Sequence, residues 1–498
     1  MRGCWELVRL PELLGQLAAL TELNLSGCAQ LTRLPDSLGL LTALRALKLT
    51  GCEALAALPA SSWQLSSLTA LDVIGCQALT DLPGLLGELT LLRELRIGGC
   101  GRIARLPDSL GRLAALTALD MTECRALTHL PESLGRLTAL ATLDLHMCDA
   151  LVCLPETVGG LAALTKLNLA RCHALTQLPE SIGQLVALRE LSVDSCTRLA
   201  SLPEALGQLQ ALTALYVPHC QALMRLPASL AELTRLTTLD ADGCTNLVRL
   251  PEQLGHMGAI TKLHLRGCNR LAGLPDSIGR LTALTALELG ACSTLDALPD
   301  SLGQLAALRA LRMQSCIALV TLPESLGQLA ALRTLDLTAC SALTALPDSL
   351  GRLAALTSLR VAQCGRLAAL PESLGELRAL PSLDLLGCRA LASLPHSVGW
   401  LPALRTLSLS RCAALVELPE TLGQLAALTA LNLSDCCALT MLPRSMGQLS
   451  ALTTLSITNC RVLAALPDTV RSLTQLRKVN VEGCQQAVAA ELRSLVRH

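Results

Sequence analysis

The sequence predicts an α/β solenoid of about 20 short units. It is wound into a curved horseshoe or superhelix, with a concave parallel sheet of about 20 strands and short helical or 3₁₀ turns on its convex face. Three observations predict this: a cysteine ruler, a proline ruler and an aromatic-poor composition. Cys4, Cys28, Cys52, Cys76 and Cys100 stand 24 residues apart, and the series runs without a miss to Cys484. It takes in 21 of the 23 cysteines, leaving only Cys153 and Cys437 outside. Proline repeats at the same interval from Pro11 to Pro467, giving 20 positions, with Pro218, Pro381 and Pro402 outside the series. Half of the 498 residues are hydrophobic (51%), yet there are three Trp, one Tyr and no Phe. Aromatic rings normally dominate the burial of a globular core, so a leucine core copied at a fixed pitch fits better than several ordinary domains.

Composition also excludes function classes. The mean hydropathy of +0.49 is high, but a membrane-spanning helix needs about 20 consecutive apolar residues, and charged residues interrupt every such run. The start, MRGCWELVRLPELLGQLAAL, lacks the basic end, compact apolar run and small-residue cleavage site of a secretory signal. Forty basic and forty acidic residues cancel, which removes the basic footprint expected of a nucleic-acid binder.

One unit shows what each segment builds. From Leu20 it reads LTELNLSGCAQLTRLPDSLGLLTA. Apolar and polar residues alternate around Leu23 and Leu25, the period of a strand with one buried face. Residues 22, 24 and 26 therefore point away from the core. Leu38, Leu41 and Leu44 follow at three-residue spacing, which suits a short 3₁₀ or helical turn with one apolar edge. Pro35 opens that turn, where its missing N–H costs nothing. An acid follows the proline at 15 of 20 sites and is expected to favour the turn's N-terminus. Glycine occupies 17 of 20 sites equivalent to Gly39, the exceptions being Trp63, Ala231 and Arg471. It is expected there to end the turn in a conformation that glycine tolerates best. Residues 1–484 read as the array, its first unit partial, and 485–498 as a C-terminal capping helix with Val488, Leu492 and Val496 on one face. Trp63, Trp400 and Pro402 are expected to decorate the convex side, where an exposed Trp is more often incidental than a site.

The unit L-x-x-L-x-L-x-x-C-x-x-L-x-x-L-P-x-S-L-G-x-L resembles the leucine-rich repeat, and the resemblance runs through the whole chain. The 24-residue variant with cysteine, as in LDLTACSALTALPDSLGRLAAL (335–356), is similar to the repeats of plant intracellular disease-resistance receptors. The resemblance implies a non-catalytic recognition module with an innate-immune-like sensing role. A regulatory scaffold for a small GTPase, phosphatase or kinase is the alternative. The nucleotide switch of those receptors is not present: Lys48, Lys166, Lys262 and Lys478 follow Leu, Thr, Thr and Arg, whereas a phosphate loop needs glycine before its lysine.

The cysteine ladder reads as buried free thiols, each a weak donor to a backbone carbonyl at the turn leaving the strand. Ladder side chains all point the same way, so their geometry opposes disulfides, and no C-x-x-C pair suggests zinc. Many reduced thiols imply a reducing compartment, cytoplasm or nucleus. No cofactor or metal is expected.

Function is sought where the repeat varies. The central outward position of each strand is polar or amphipathic in all 20 units, from Asn24 to Asn480, and forms a face suited to a macromolecule. The candidate partner-binding residues on it are Tyr216, His219, Asp240, Asp242, His264, Arg266, Glu288, Arg312 and Gln314, with an in-strand Pro218 among them. A second, acidic group is Asp120, Asp144 and His146, with Glu123 beside them. Tyr and Arg are typical interface anchors. The competing reading is a solvated sheet face whose charges pair across strands, each pair contributing about 0.2–1 kcal/mol. A metal or hydrolase reading of Asp240 beside His264 lacks a shaped pocket, and no serine sits on a nucleophile elbow. Proteins are therefore the expected partners, with neither nucleic acid nor membrane. The uncapped N-terminal edge is a further place for another domain or chain to dock.

Overall fold

In the computed structural model, which describes residues 2–495, the chain divides into two compact units, Met1–Thr245 and Asn246–His498. The first carries parallel strands from Glu22–Asn24 to Thr238–Asp240, and the second from Lys262–His264 to Lys478–Asn480. Within each unit every strand pairs with the next in sequence, in a register shifted by one repeat: Leu23 opposite Leu47, Leu263 opposite Leu287. This is the expected solenoid of parallel coils. Each strand is only three residues long, because a single inward leucine lies between two outward residues. Pairing continues past it through Leu25 N–H to the Lys48 carbonyl (2.8 Å) and Gly27 N–H to the Thr50 carbonyl (2.7 Å).

Proline opens the opposite side of each coil. Pro35 (φ −70°, ψ 150°) is followed by a 3₁₀ turn, Asp36–Leu40. The N–H groups of Leu38, Leu41 and Leu44 then bond successively to the carbonyls of Pro35, Leu38 and Leu41. Three-residue bonding stacks these side chains on one edge, and all three leucines are fully buried. With Leu25, Cys28 and Leu31 they fill the coil without any ring, each buried leucine contributing about 1.5–3 kcal/mol.

Three expectations need correction. Glycine at the Gly39 position does not adopt a left-handed conformation. It is required because a Cβ there would lie 2.5 Å from the Ser61 carbonyl and 2.7 Å from the Ser61 Cβ of the next turn. The left-handed residue is instead the one before every ladder cysteine. It is glycine at nine positions, among them Gly27 and Gly243, and another residue at twelve, among them Glu123, Met147 and His219. Second, the acid after proline lies in the first turn as expected, but its side-chain hydrogen bonds are made elsewhere. Glutamates reach forward one repeat: the Glu204 carboxylate accepts from the Ala228 and Ser229 amides (3.4 and 3.0 Å), and Glu420 from Arg444 and Ser445 (3.0 and 2.9 Å). Third, Trp63 is buried, whereas Trp400 is exposed.

The thiols take the place expected of them. All 23 cysteines are free. Cys76 Sγ donates to the Leu49 carbonyl (3.4 Å) and Cys460 Sγ to the Leu433 carbonyl (3.0 Å), each one coil back at the residue leaving the strand. The chain ends in a helix, Gln486–Leu495, that buries Val488 and Leu492, while Glu491 pairs with Arg471 (3.4 Å). Arg471 needs no glycine, because the helix and not another turn follows it. Val496 lies outside the described residues. Among the described residues no helix is long and apolar enough to cross a membrane.

Candidate partner-binding face

Alternation sends one side chain of each strand inward and its neighbours outward, so the outward columns are free to vary without disturbing the leucine core. In the first unit Tyr216 ends the strand Ala214–Tyr216 and is half-buried, in register with Ser192 on one side and Asp240 on the other. Pro218 lies beyond this strand, not within it. In other coils the amide at that position donates to the strand-end side chain two residues earlier, as Asp242 does to Asp240 in the next coil (3.0 Å). Tyr216 offers no carboxylate or amide oxygen, and Pro218 has no N–H to satisfy, so the two substitutions are matched.

The same local turn changes the meaning of the acidic candidates. Asp120, Asp144 and Asp240 each accept the amide two residues on, from Thr122, His146 and Asp242 (3.0 Å each). Asp144 also accepts from the Asn168 side-chain amide of the next strand (3.0 Å). One oxygen of each carboxylate therefore holds the chain where it leaves the strand. His146 is half-buried, and its carbonyl accepts the Glu123 amide (2.7 Å); Glu123 is exposed and pairs with Arg125 (3.3 Å). His219 is exposed, with φ +56°. Its imidazole covers Gly243, filling the space a side chain there would need. Asp242 is half-buried, and its carbonyl accepts the His219 amide (2.6 Å).

In the second unit His264 is half-buried at its strand end and Arg266 is exposed. Glu288 and Arg312, opposite one another in register, form an ion pair. Asp336 extends this run: it is largely buried, bonds the Thr338 amide and hydroxyl, and faces Arg360 at 3.8 Å. Gln314 lies over Gly290, and its Oε1 is buried with no hydrogen-bond partner among the described residues. Glu288 and Arg312 thus satisfy one another, as a solvated sheet face would have them do.

Tyr216, His219, Asp240 and Asp242 belong to the first unit, with Asp120, Asp144 and His146 several coils earlier. His264, Arg266, Glu288, Arg312 and Gln314 belong to the second. Among the described residues no group of three His, Cys, Asp or Glu side chains is placed to hold a metal ion. Two features escaped the sequence reading, the forward-reaching glutamates and the left-handed column. Nine glycines before ladder cysteines are the signal that could have revealed the second.

Coils of one inward strand and one proline-opened turn, with scaffold columns fixed and the strand face varied, define a repeat protein of the interaction-module class. The sequence profile described as "Leucine-rich repeat region" matches residues 107–217, 180–288, 287–410 and 383–497, and the chain belongs to that family. No curated protein is significantly similar in sequence. Among solved structures, a leucine-rich repeat protein of Leptospira interrogans, LIC12759, is 25% identical, over 91% of this chain and 94% of that one, with a TM-score of 0.49. The plant peptide hormone receptor RGFR1 is 21% identical over 96% and 89%, TM-score 0.53. The Arabidopsis receptor kinase HAESA is 22% identical over 95% and 84%, TM-score 0.50. The two receptors share the fold.

Proposed function

We propose that the chain is a non-catalytic recognition module that binds a protein or peptide partner on its strand face, with Tyr216 the anchor of the first unit. The observation that carries this reading is the contrast between columns. Leucine, cysteine, proline and glycine recur at 24-residue intervals, while the strand-end column runs through Asn, Lys, Asp, Arg, Ser and Tyr. Nothing in the coil's own packing asks for a tyrosine at 216, and a half-buried ring with an exposed edge is the kind of residue that dominates interface energetics. His219 and Asp242 flank it, and Asp240 is in register with it. His264 and Arg266 in the second unit remain candidates, as do Glu288, Arg312 and Gln314, whose own mutual contacts make them weaker ones. The receptors RGFR1 and HAESA were solved with the peptide hormones RGF2 and IDA, which is in keeping with a polypeptide ligand.

The finer reading is intracellular sensing of the disease-resistance kind. It rests on the likeness of the cysteine-containing 24-residue unit to plant intracellular receptors, and the reduced thiol core supports a reducing compartment. Co-purification from the native organism tests it. Recovery of a nucleotide-binding receptor or a pathogen protein supports sensing, and recovery of a GTPase, phosphatase or kinase supports a signalling scaffold. For the binding face, Tyr216→Ala is expected to weaken the recovered partner's affinity about tenfold or more with circular dichroism unchanged. Unaltered affinity would remove Tyr216 from the interface.

A further inference from the structure

The second unit departs from its own repeat most sharply on the turn side, around Trp400. The column to which Trp400 belongs is elsewhere mostly Gln, Arg or Glu, as in Gln304, Gln328, Arg352, Glu376 and Gln424. Here it carries the indole, with 60% of its surface exposed, in a chain that has only three tryptophans and no phenylalanine. Two of the three prolines outside the 24-residue series, Pro381 and Pro402, lie within 20 residues of it. Both alter the backbone. Pro402 forces Leu401 into an extended conformation, ψ 94° against 69° at Leu377 and 70° at Leu425, as a residue before proline requires. Pro381 has no N–H, and register pairing between the strands Ser358–Arg360 and Ser382–Asp384 falls to two residue pairs, Leu359 with Leu383 and Arg360 with Asp384.

A groove of about 1000 Å³ opens beside the indole. Trp400, Pro402 and Ala354 give it an apolar wall, and Arg352, Arg378 and Glu376 give it charged edges. No ion pair involves either arginine among the described residues. Two guanidiniums against one carboxylate make the groove's own lining net positive, with Arg378 away from the acidic turns (Asp276, Asp300, Glu324 and Asp348) that Arg352 also borders. An exposed ring beside two arginines combines residue types enriched in binding hot spots, and a guanidinium is suited to bidentate capture of a carboxylate.

We propose that this groove docks an acidic, apolar peptide segment of a partner protein. An aliphatic side chain of the segment packs on Trp400, and its carboxylates bridge Arg352 and Arg378. The site lies on the turn side of the coils and does not depend on the strand-face reading. Its test uses the full chain and three fluorescein-labelled twelve-residue peptides of matched leucine content, carrying glutamate, lysine or serine at the remaining positions, followed by fluorescence anisotropy. The glutamate peptide is expected to bind in preference to the other two. Trp400→Gln, which installs the residue native to neighbouring coils, and the double variant Arg352→Gln with Arg378→Gln are each expected to weaken it about tenfold or more. Tyr216→Ala should leave it unchanged. Equal binding of the lysine or serine peptide would overturn the proposal, as would indifference to Trp400→Gln. Self-association of the chain that Trp400→Gln abolishes would also overturn it, since the occupant would then be a second copy. Loss of strand-face binding with the groove intact, or the reverse, separates the two sites.

Discussion

At the scale of single residues, two columns with different demands explain where glycine belongs. At the Gly111 position the demand is steric: a Cβ would lie 2.5 Å from the Ser133 carbonyl and 2.7 Å from its Cβ, and neither backbone nor Cβ can swing aside. Before each ladder cysteine the demand is conformational, since Ala339 sits at φ +62° and Arg171 at φ +59°. A Cβ is therefore unfavourable at both positions, for different reasons. Ala339→Gly is expected to stabilise by about 1 kcal/mol, the cost of holding an L-residue left-handed. Gly111→Ala is expected to destabilise by roughly 1–3 kcal/mol through overpacking. Urea denaturation of the two variants measures both, and shifts of the same sign would refute the assignment.

At the scale of the element, the turns are linked by glutamates acting across the repeat. In Glu204 the Ser229 amide is the largest influence; burial comes next and raises the value, but the amide, helped by the Ser229 hydroxyl and then the Ala228 amide, prevails and holds the carboxyl below its ordinary value near 4.5. Glu420 is lowered by the amides of Ser445 and Arg444. In Glu372 burial is the largest single influence and raises the value, but the Ser397 and His396 amides together prevail and lower it. A carboxyl whose folded pKa lies below its unfolded one contributes stability that is fully present above about 4.5 and is lost as pH falls through the folded value. All three groups are mostly exposed, so each contribution is small and screened by salt. Glu420→Gln should flatten the acid limb of the stability profile while changing little at neutral pH. An unchanged acid limb would show that the link carries no weight. Aspartate is too short for this reach: Asp108 and Asp276 occupy the equivalent site, and neither makes such a bond among the described residues. This marks the limit of the sequence. Strand, turn and buried thiol were legible because each follows from spacing within one 24-residue unit. The glutamate's true target was not, because it stands one coil away in space. The outward face was legible in the same manner, but not that Asp120, Asp144 and Asp240 already hold backbone amides, or that Glu288 is spent on Arg312.

At the scale of the whole molecule, a solenoid is as strong as its weakest neighbour-to-neighbour contact, and the first unit has a visible seam. Trp63 replaces the glycine that in most coils lets adjacent turns meet, and the turns Ala60–Gln64 and Gly84–Glu88 pack less closely than the other neighbouring turns of this unit. Two buried polar atoms peculiar to this turn have no hydrogen-bond partner among the described residues: the Ser62 hydroxyl and the Trp63 indole N–H. A buried donor or acceptor left unmade costs about 1–3 kcal/mol, so this seam should open first in the interior of the unit. The thiol ladder supplies the reporter. Cys52 is pushed up to about 11 by burial and by the neighbouring Cys28, and Cys124 to about 12 by burial and Cys100. Neither thiol reacts at neutral pH without opening, since the thiolate is the reactive form. In the native protein an alkylating reagent should therefore mark exposed Cys4 and Cys437 at once and half-buried Cys153 and Cys484 more slowly. With low urea, peptide mass spectrometry should show Cys52 and Cys76, which flank the seam, labelled ahead of Cys124 through Cys220. Labelling of all the buried thiols at one common rate would show instead that the unit opens as a whole and that Trp63 marks no weak contact.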